Sequence, residues 1–253
     1  MIPPAALPAW DPHRALFLDV DGTLLDIRDH PDEVRATPSL LQLLESAQQS
    51  LDGALALVSG RSIASLDEVF GELRLPAAGL HGLERRDARG RLHRPRGYAA
   101  RIAVARDELL AFARSATGVL LEDKGAALAL HYRNAPALAE QCRQCMEHAR
   151  SLAGEDFHVQ HGKMVLELKP SGHDKGTAIR AFMEEAPFRG RPPMFVGDDL
   201  TDEDGFKVVN ASQGISVRVG AAAQTAAAIG VAGVPEVLDW LRLSLEKNNA
   251  RQA

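Results

Sequence analysis

Three short apolar runs, RALFLDV at 14–20, ALALV at 54–58 and PMFVG at 193–197, each stop abruptly at small or acidic residues, and segments of helical period lie between them. Runs without apolar and polar alternation have no face to offer solvent, so they belong in a parallel sheet covered by helices on both sides. The chain therefore reads as α/β, with a Rossmann-like parallel sheet. Further strands are predicted at about 77–80 and at 214–218. Helices are predicted at 37–50, opened by Thr37-Pro38, and at 174–186, 202–210 and 234–246, the last opened by Pro235.

Between about 100 and 168 the rhythm changes. A helix at 101–115 leads to a hairpin at 119–123 and 126–132 turning at Lys124-Gly125. A second helix at 135–152 leads to a hairpin at 157–160 and 164–168 turning at Gly162-Lys163. Stretches such as LALHYR alternate in polarity, which suits an antiparallel sheet with one face on helices and the other open. This doubled αββ unit is a smaller inserted α+β domain, assigned to 96–168 within a core of 1–95 and 169–253. A polar hairpin or loop turning at Arg89-Gly90 precedes the boundary.

The net charge is −5, and the Lys and Arg residues are scattered, which argues against a nucleic-acid or anionic-membrane surface and for a small soluble partner. The Pro-rich segment at 1–10 lacks the pattern of a signal peptide, and no stretch approaches the ~18 apolar residues of a spanning helix, so a cytoplasmic location is expected. Cys142 and Cys145 share one helical segment; two free thiols are the ordinary reading, a redox pair or half a metal site the other.

The chemistry concentrates at the ends of the apolar runs. Asp19 and Asp21 are one strand period apart, and ligands of open α/β sheets bind at the carboxyl edge where they fall. Adjacent carboxylates repel unless a proton or a cation joins them. GDDLTDED places Asp198 and Asp199 at the end of another strand and Asp202 at a helix start, completing an oxygen-rich site that suits Mg²⁺. Ser59, with Gly60 behind it, offers a hydroxyl for phosphate oxygens, and Lys175 at a helix start calls for an anionic partner. Together these residues support attack by Asp19 on phosphorus, proton transfer by Asp21, and charge stabilisation by Mg²⁺, Lys175 and Ser59. Asp21 would begin protonated, favoured by a carboxylate neighbour and partial burial.

DVDGT, VSGR, DKG and GDDLTDED, in that order and spacing, resemble the four signatures of the haloacid dehalogenase (HAD) superfamily of phosphatases. The resemblance implies a HAD core in which Asp19 is the nucleophile and Asp21 the acid/base. It also implies a metal held by Asp19, the main-chain carbonyl of Asp21, and Asp198. Asp199 and Asp202 would then stand behind the ligands, or cap the following helix. An insertion between the second and third signatures resembles a cap of type C2B, of the αββαββ kind, which closes over the leaving group and selects the substrate.

AGLHGLERR, LLEDKGAALALHYR and HGKMVLELKPSGHDKG are similar to the trehalose-phosphatase family. That likeness implies Mg²⁺-dependent hydrolysis of trehalose 6-phosphate, a sugar-phosphate partner, and a functional link to a trehalose-6-phosphate synthase. It assigns Glu122, Lys124 and Glu167 to the glucose unit remote from phosphate, with Lys163, Arg61 and His81 as further substrate-binding candidates. The alternatives are another HAD sugar phosphatase or phosphomutase acting on sucrose phosphate or a hexose phosphate, and a phosphate-accepting signalling module.

Overall fold

The computed structural model describes residues 7–8, 11–27, 34–95, 97–162 and 164–252. They form two compact units, one of 1–94 with 174–253 and one of 95–173.

In the first unit six parallel strands run in the order β12-β11-β10-β1-β2-β3: β1 (Ala15–Leu18), β2 (Leu55–Val58), β3 (Ala77–Gly79), β10 (Pro193–Gly197), β11 (Ile215–Val219) and β12 (Ile229–Val231). Every residue of β1, β2 and β10 is buried, the expected fate of an apolar run with no polar face. Two antiparallel strands, β4 (Glu84–Arg86) and β5 (Leu92–His93), extend the β3 edge, so the polar segment around Arg89-Gly90 is a hairpin. β12 escaped the sequence reading because three residues, Ile-Gly-Val, are too few to display a period.

The helices are α1 (Pro38–Ser50), α2 (Ile63–Phe70), α5 (Lys175–Met183), α6 (Glu203–Ala211) and α7 (Val234–Gln252). α1 starts at Pro38 because the Thr37 hydroxyl accepts from the Leu40 N–H, 3.3 Å away. α5 starts with a reciprocal cap: the Asp174 carboxylate accepts from the Thr177 N–H and the Thr177 hydroxyl from the Asp174 N–H. Farther along α5, Phe182 meets Phe17 of β1 and Phe188, with ring centroids 5.9 and 5.1 Å away. The cap and this aromatic anchor hold Lys175 at a fixed height over the strand ends.

The second unit is a four-stranded antiparallel sheet in the order β6-β7-β9-β8, made of β6 (Leu120–Asp123), β7 (Leu128–His131), β8 (Phe157–Gly162) and β9 (Val165–Pro170). Leu128, Leu130, Leu166 and Leu168 join α3 (Tyr98–Ser115) and α4 (Ala139–Ala153) in a separate apolar core. The other face is less open than its alternation suggests, since Ala129, Glu167 and Lys169 on it are buried. Cys142 and Cys145 of α4 are free thiols. Among the described residues, no helix is long and apolar enough to cross a membrane.

Candidate active site

The register of the central strands assembles the site. Leu18 of β1 lies opposite Val196 of β10 and Leu57 of β2, so Asp19, Asp198 and Ser59, each within a residue or two of these positions, emerge together at the carboxyl edge. The Asp19 N–H donates to the Val196 carbonyl at 2.9 Å, keeping this register one step beyond β1.

Lys175 lies between two acids: its Nζ donates to Asp19 Oδ1 at 2.7 Å and to Asp202 Oδ1 at 2.6 Å, and all three side chains are buried. Asp19, Asp198 and Asp202 each bring one oxygen within 4.8 Å of the others. The Thr23 hydroxyl, 3.3 Å from Asp19 Oδ2 and 3.5 Å from Asp198 Oδ1, ties the two strand-end acids together. Gly22, at φ +82°, leaves room for this contact, since a Cβ there would fall 2.1 Å from Asp198 Oδ2.

Three carboxylates share one ammonium, so the cluster is rich in negative charge. Burial, then the charges of Asp202 and Asp199, raises the Asp198 carboxyl to about 6. Asp19 is raised as well, first by burial and then by Asp202 and Asp198, with Lys175 opposing. Burial disfavours the Lys175 ammonium, but Asp19 and Asp202 outweigh it and hold the proton firmly. For the carboxylates burial and the shortage of positive charge act together, while for the ammonium the two contacting acids outweigh burial. An all-oxygen donor set with this deficit fits a hard divalent cation.

The folded, metal-free protein holds the Asp198 proton more tightly than the unfolded chain, so its stability falls as pH rises from 3.8 to about 6. Thermal melts of chelator-treated protein should decline across that window, and added Mg²⁺ should restore the melting temperature above it. A flat profile with no cation effect would remove the charge-deficit account.

Asp21 has a different environment from the one expected. In place of a carboxylate neighbour it has the Arg61 guanidinium, whose Nε and Nη2 donate to its two oxygens at 2.7 Å each, and the Asp21 side chain is 35 % exposed. Ser59 is buried and its Oγ accepts from the Arg61 N–H at 3.1 Å. His81 follows β3 with a left-handed backbone, φ 54°, and its ring lies against Gly60, where a Cβ would be 2.7 Å from it. Asp199 Oδ1 accepts from the Leu200 N–H, capping the turn at Leu200–Asp202, while Asp202 Oδ2 accepts from the Asp199 N–H.

In the inserted unit Lys124 Nζ donates to Glu167 Oε1 at 3.0 Å and stands 3.9 Å from Glu122 Oε2, so these three predicted residues form one cluster. Lys163 lies outside the described residues. Sequence reasoning missed Thr23, visible only as the fifth letter of DVDGT, and the contact of His131 Nε2 with Glu122 Oε2, 3.0 Å apart, of which HYR gives no local sign.

An open parallel sheet carrying a buried aspartate, a lysine from a following helix and an acidic cluster at one edge defines the class: a HAD-type α/β protein built for phosphoryl chemistry. Residues 17–230 match the family described as Trehalose-phosphatase. The chain is 47% identical over 216 residues to a probable trehalose-phosphate phosphatase of Sinorhizobium fredii, covering 85% of this chain and 81% of that one. It is 46% identical over 232 residues to a trehalose-6-phosphate phosphatase of Escherichia coli, covering 90% and 85%. A solved structure described as a trehalose-6-phosphate phosphatase related protein superposes with a TM-score of 0.80 at 26% identity, covering 93% of this chain and 99% of that one. The chain belongs to the trehalose-phosphatase family, as the motifs imply.

Proposed function

We propose that this protein hydrolyses trehalose 6-phosphate to trehalose and phosphate through an aspartyl-phosphate, with Mg²⁺ as cofactor. The observation that carries the reading is the buried Asp19–Lys175–Asp202 pairing beside Asp198 in a chain of this family. In the first step an Asp19 carboxylate oxygen bonds to phosphorus, the bond from phosphorus to the sugar oxygen breaks, and Asp21 gives that oxygen a proton. In the second, water attacks the aspartyl-phosphate, Asp21 takes its proton, and phosphate leaves. Both oxygens of Asp21 are held by Arg61, in place of the protonated carboxyl expected, so before the first step this ion pair has to open and the carboxylate has to take a proton from solvent; the proton taken from water in the second step restores it.

Asp19, Asp198 and the main-chain oxygen of Asp21 are assigned to Mg²⁺, which when bound neutralises phosphate charge. Asp202 already has Oδ1 on Lys175 and Oδ2 on the Asp199 N–H, so it orients its neighbours rather than the ion. Lys175 and Ser59 serve the phosphate, with Arg61 and His81 at its margin. The unit of 1–94 with 174–253 is the catalytic core and the unit of 95–173 the substrate-selecting domain, a boundary a few residues beyond the expected 168 because β9 runs to Pro170; its Glu122, Lys124, Lys163 and Glu167 recognise sugar hydroxyls. A synthase supplying the phosphorylated disaccharide would precede this enzyme.

Phosphate release from trehalose 6-phosphate, sucrose phosphate and hexose phosphates, with and without Mg²⁺, tests the proposal. The disaccharide phosphate of trehalose is expected to dominate and to require the cation; equal rates on all sugars would reject the specificity. Glu167→Ala should lower kcat/KM on trehalose 6-phosphate by about 10²-fold, the scale of a charge-assisted hydrogen bond plus a stranded Lys124. A small aryl phosphate should be hydrolysed as before. Equal losses on both substrates would make Glu167 a folding residue.

A further inference from the structure

The inserted sheet has two unlike faces. By strand alternation, Leu128 and Leu130 of β7 join the apolar core while Ala129 and His131 lie on the opposite side. The register sets Glu122 opposite Ala129 and Ala129 opposite Glu167, so two carboxylates flank a single methyl group. On this face His131 Nε2 stands 3.0 Å from Glu122 Oε2. Among the described residues, this is the one hydrogen bond made to the Glu122 side chain, because Lys124 Nζ is 3.9 Å away.

We propose that His131 is a positioning residue for sugar recognition, holding Glu122 in the rotamer from which its second oxygen, Oε1, accepts a hydrogen bond from a sugar hydroxyl. The inference rests on the reading of Glu122 as a sugar contact. Its physical basis is the freedom of that side chain. Glu122 has three rotatable bonds, its side chain is 43 % exposed, and Ala129 beside it is too small to restrain it. A carboxylate left to wander would lose that freedom on each binding event, whereas one held beforehand does not. An ionised Glu can only accept, so the shared proton resides on His131 Nε2. Burial of the Glu122 carboxyl works against its charge, but the His131 hydrogen bond and the charges of Lys124 and His131 prevail and keep it below its ordinary value, against Glu167. The acceptor is therefore charged and oriented before any substrate arrives.

The test is a double-mutant cycle read on two substrates, trehalose 6-phosphate and para-nitrophenyl phosphate. His131→Ala should raise KM for the sugar phosphate about tenfold, leaving kcat within about twofold. Aryl phosphate kinetics should not change. His131→Gln, whose amide N–H can still donate to the carboxylate, should recover most of the loss. The pair His131→Ala with Glu122→Ala should be no worse than Glu122→Ala alone, because the histidine acts only through that carboxylate. Losses that multiply in the double variant, or that are equal on both substrates, overturn the role of His131 while the trehalose preference of the unaltered enzyme stands. An unaltered enzyme with no preference for the sugar phosphate over the aryl phosphate would instead overturn the reading on which the inference rests.

Discussion

Asp19→Asn is expected to reduce phosphate release by at least about 10⁴-fold, because the amide cannot form the bond to phosphorus on which both half-reactions depend. The substitution preserves shape and removes one negative charge from a cluster of three carboxylates, two of them buried and Asp198 half-buried. The melting temperature of the metal-free variant should therefore equal or exceed that of the unaltered protein, separating lost chemistry from lost fold. Rapid-quench assays with labelled substrate add a second readout. The unaltered enzyme should show a phosphorylated protein that turns over, and the variant no labelled protein at all. A fully active Asp19→Asn enzyme would reject the covalent route, and stoichiometric labelling of the unaltered protein without sustained release would make it a phosphate acceptor rather than a phosphatase.

Lys175→Met should cost both activity and stability. It leaves Asp19 and Asp202 buried without the ammonium that contacts each within 2.7 Å, the kind of loss that costs about 3–5 kcal/mol when one member of a buried pair is removed. Chemical denaturation at neutral pH in the presence of chelator measures it. The deficit should shrink as pH falls, since the unpaired carboxylates then take up protons in the folded state and shed their charge. Added Mg²⁺ should recover part of the stability and little of the activity, because the cation does not replace an ammonium at the helix start. A variant within about 0.5 kcal/mol of the unaltered protein would show that the lysine is not what compensates these acids.

These expectations depend on contacts of very different legibility. The strands that carry Asp19, Ser59 and Asp198 are short apolar runs, each stopping at a polar residue, and a window of a few letters reveals them. Thr37-Pro38 announces α1 in the same local way. The pairing of Asp21 with Arg61 spans 40 positions and replaced the neighbour inferred from Asp-x-Asp spacing, because the chain leaves the extended conformation after Leu18 and turns through Gly22. His131 went unnoticed for a related reason: its partner lies on the adjacent strand, and only the register of β6 with β7 makes the two diagonal neighbours on one face.

Taken alone, the sequence determined the parallel core, the inserted antiparallel unit and the four acidic and basic signatures, since each depends on side-chain chemistry repeated over a few residues. Tertiary structure alone decided which charge answers which. Lys175 reaches Asp19 across 156 positions and Asp202 across 27, while Asp199 is spent on capping its own turn. Electrostatic partnership depends on distance and burial, and both exist only once the sheet has brought its strand ends to a common edge.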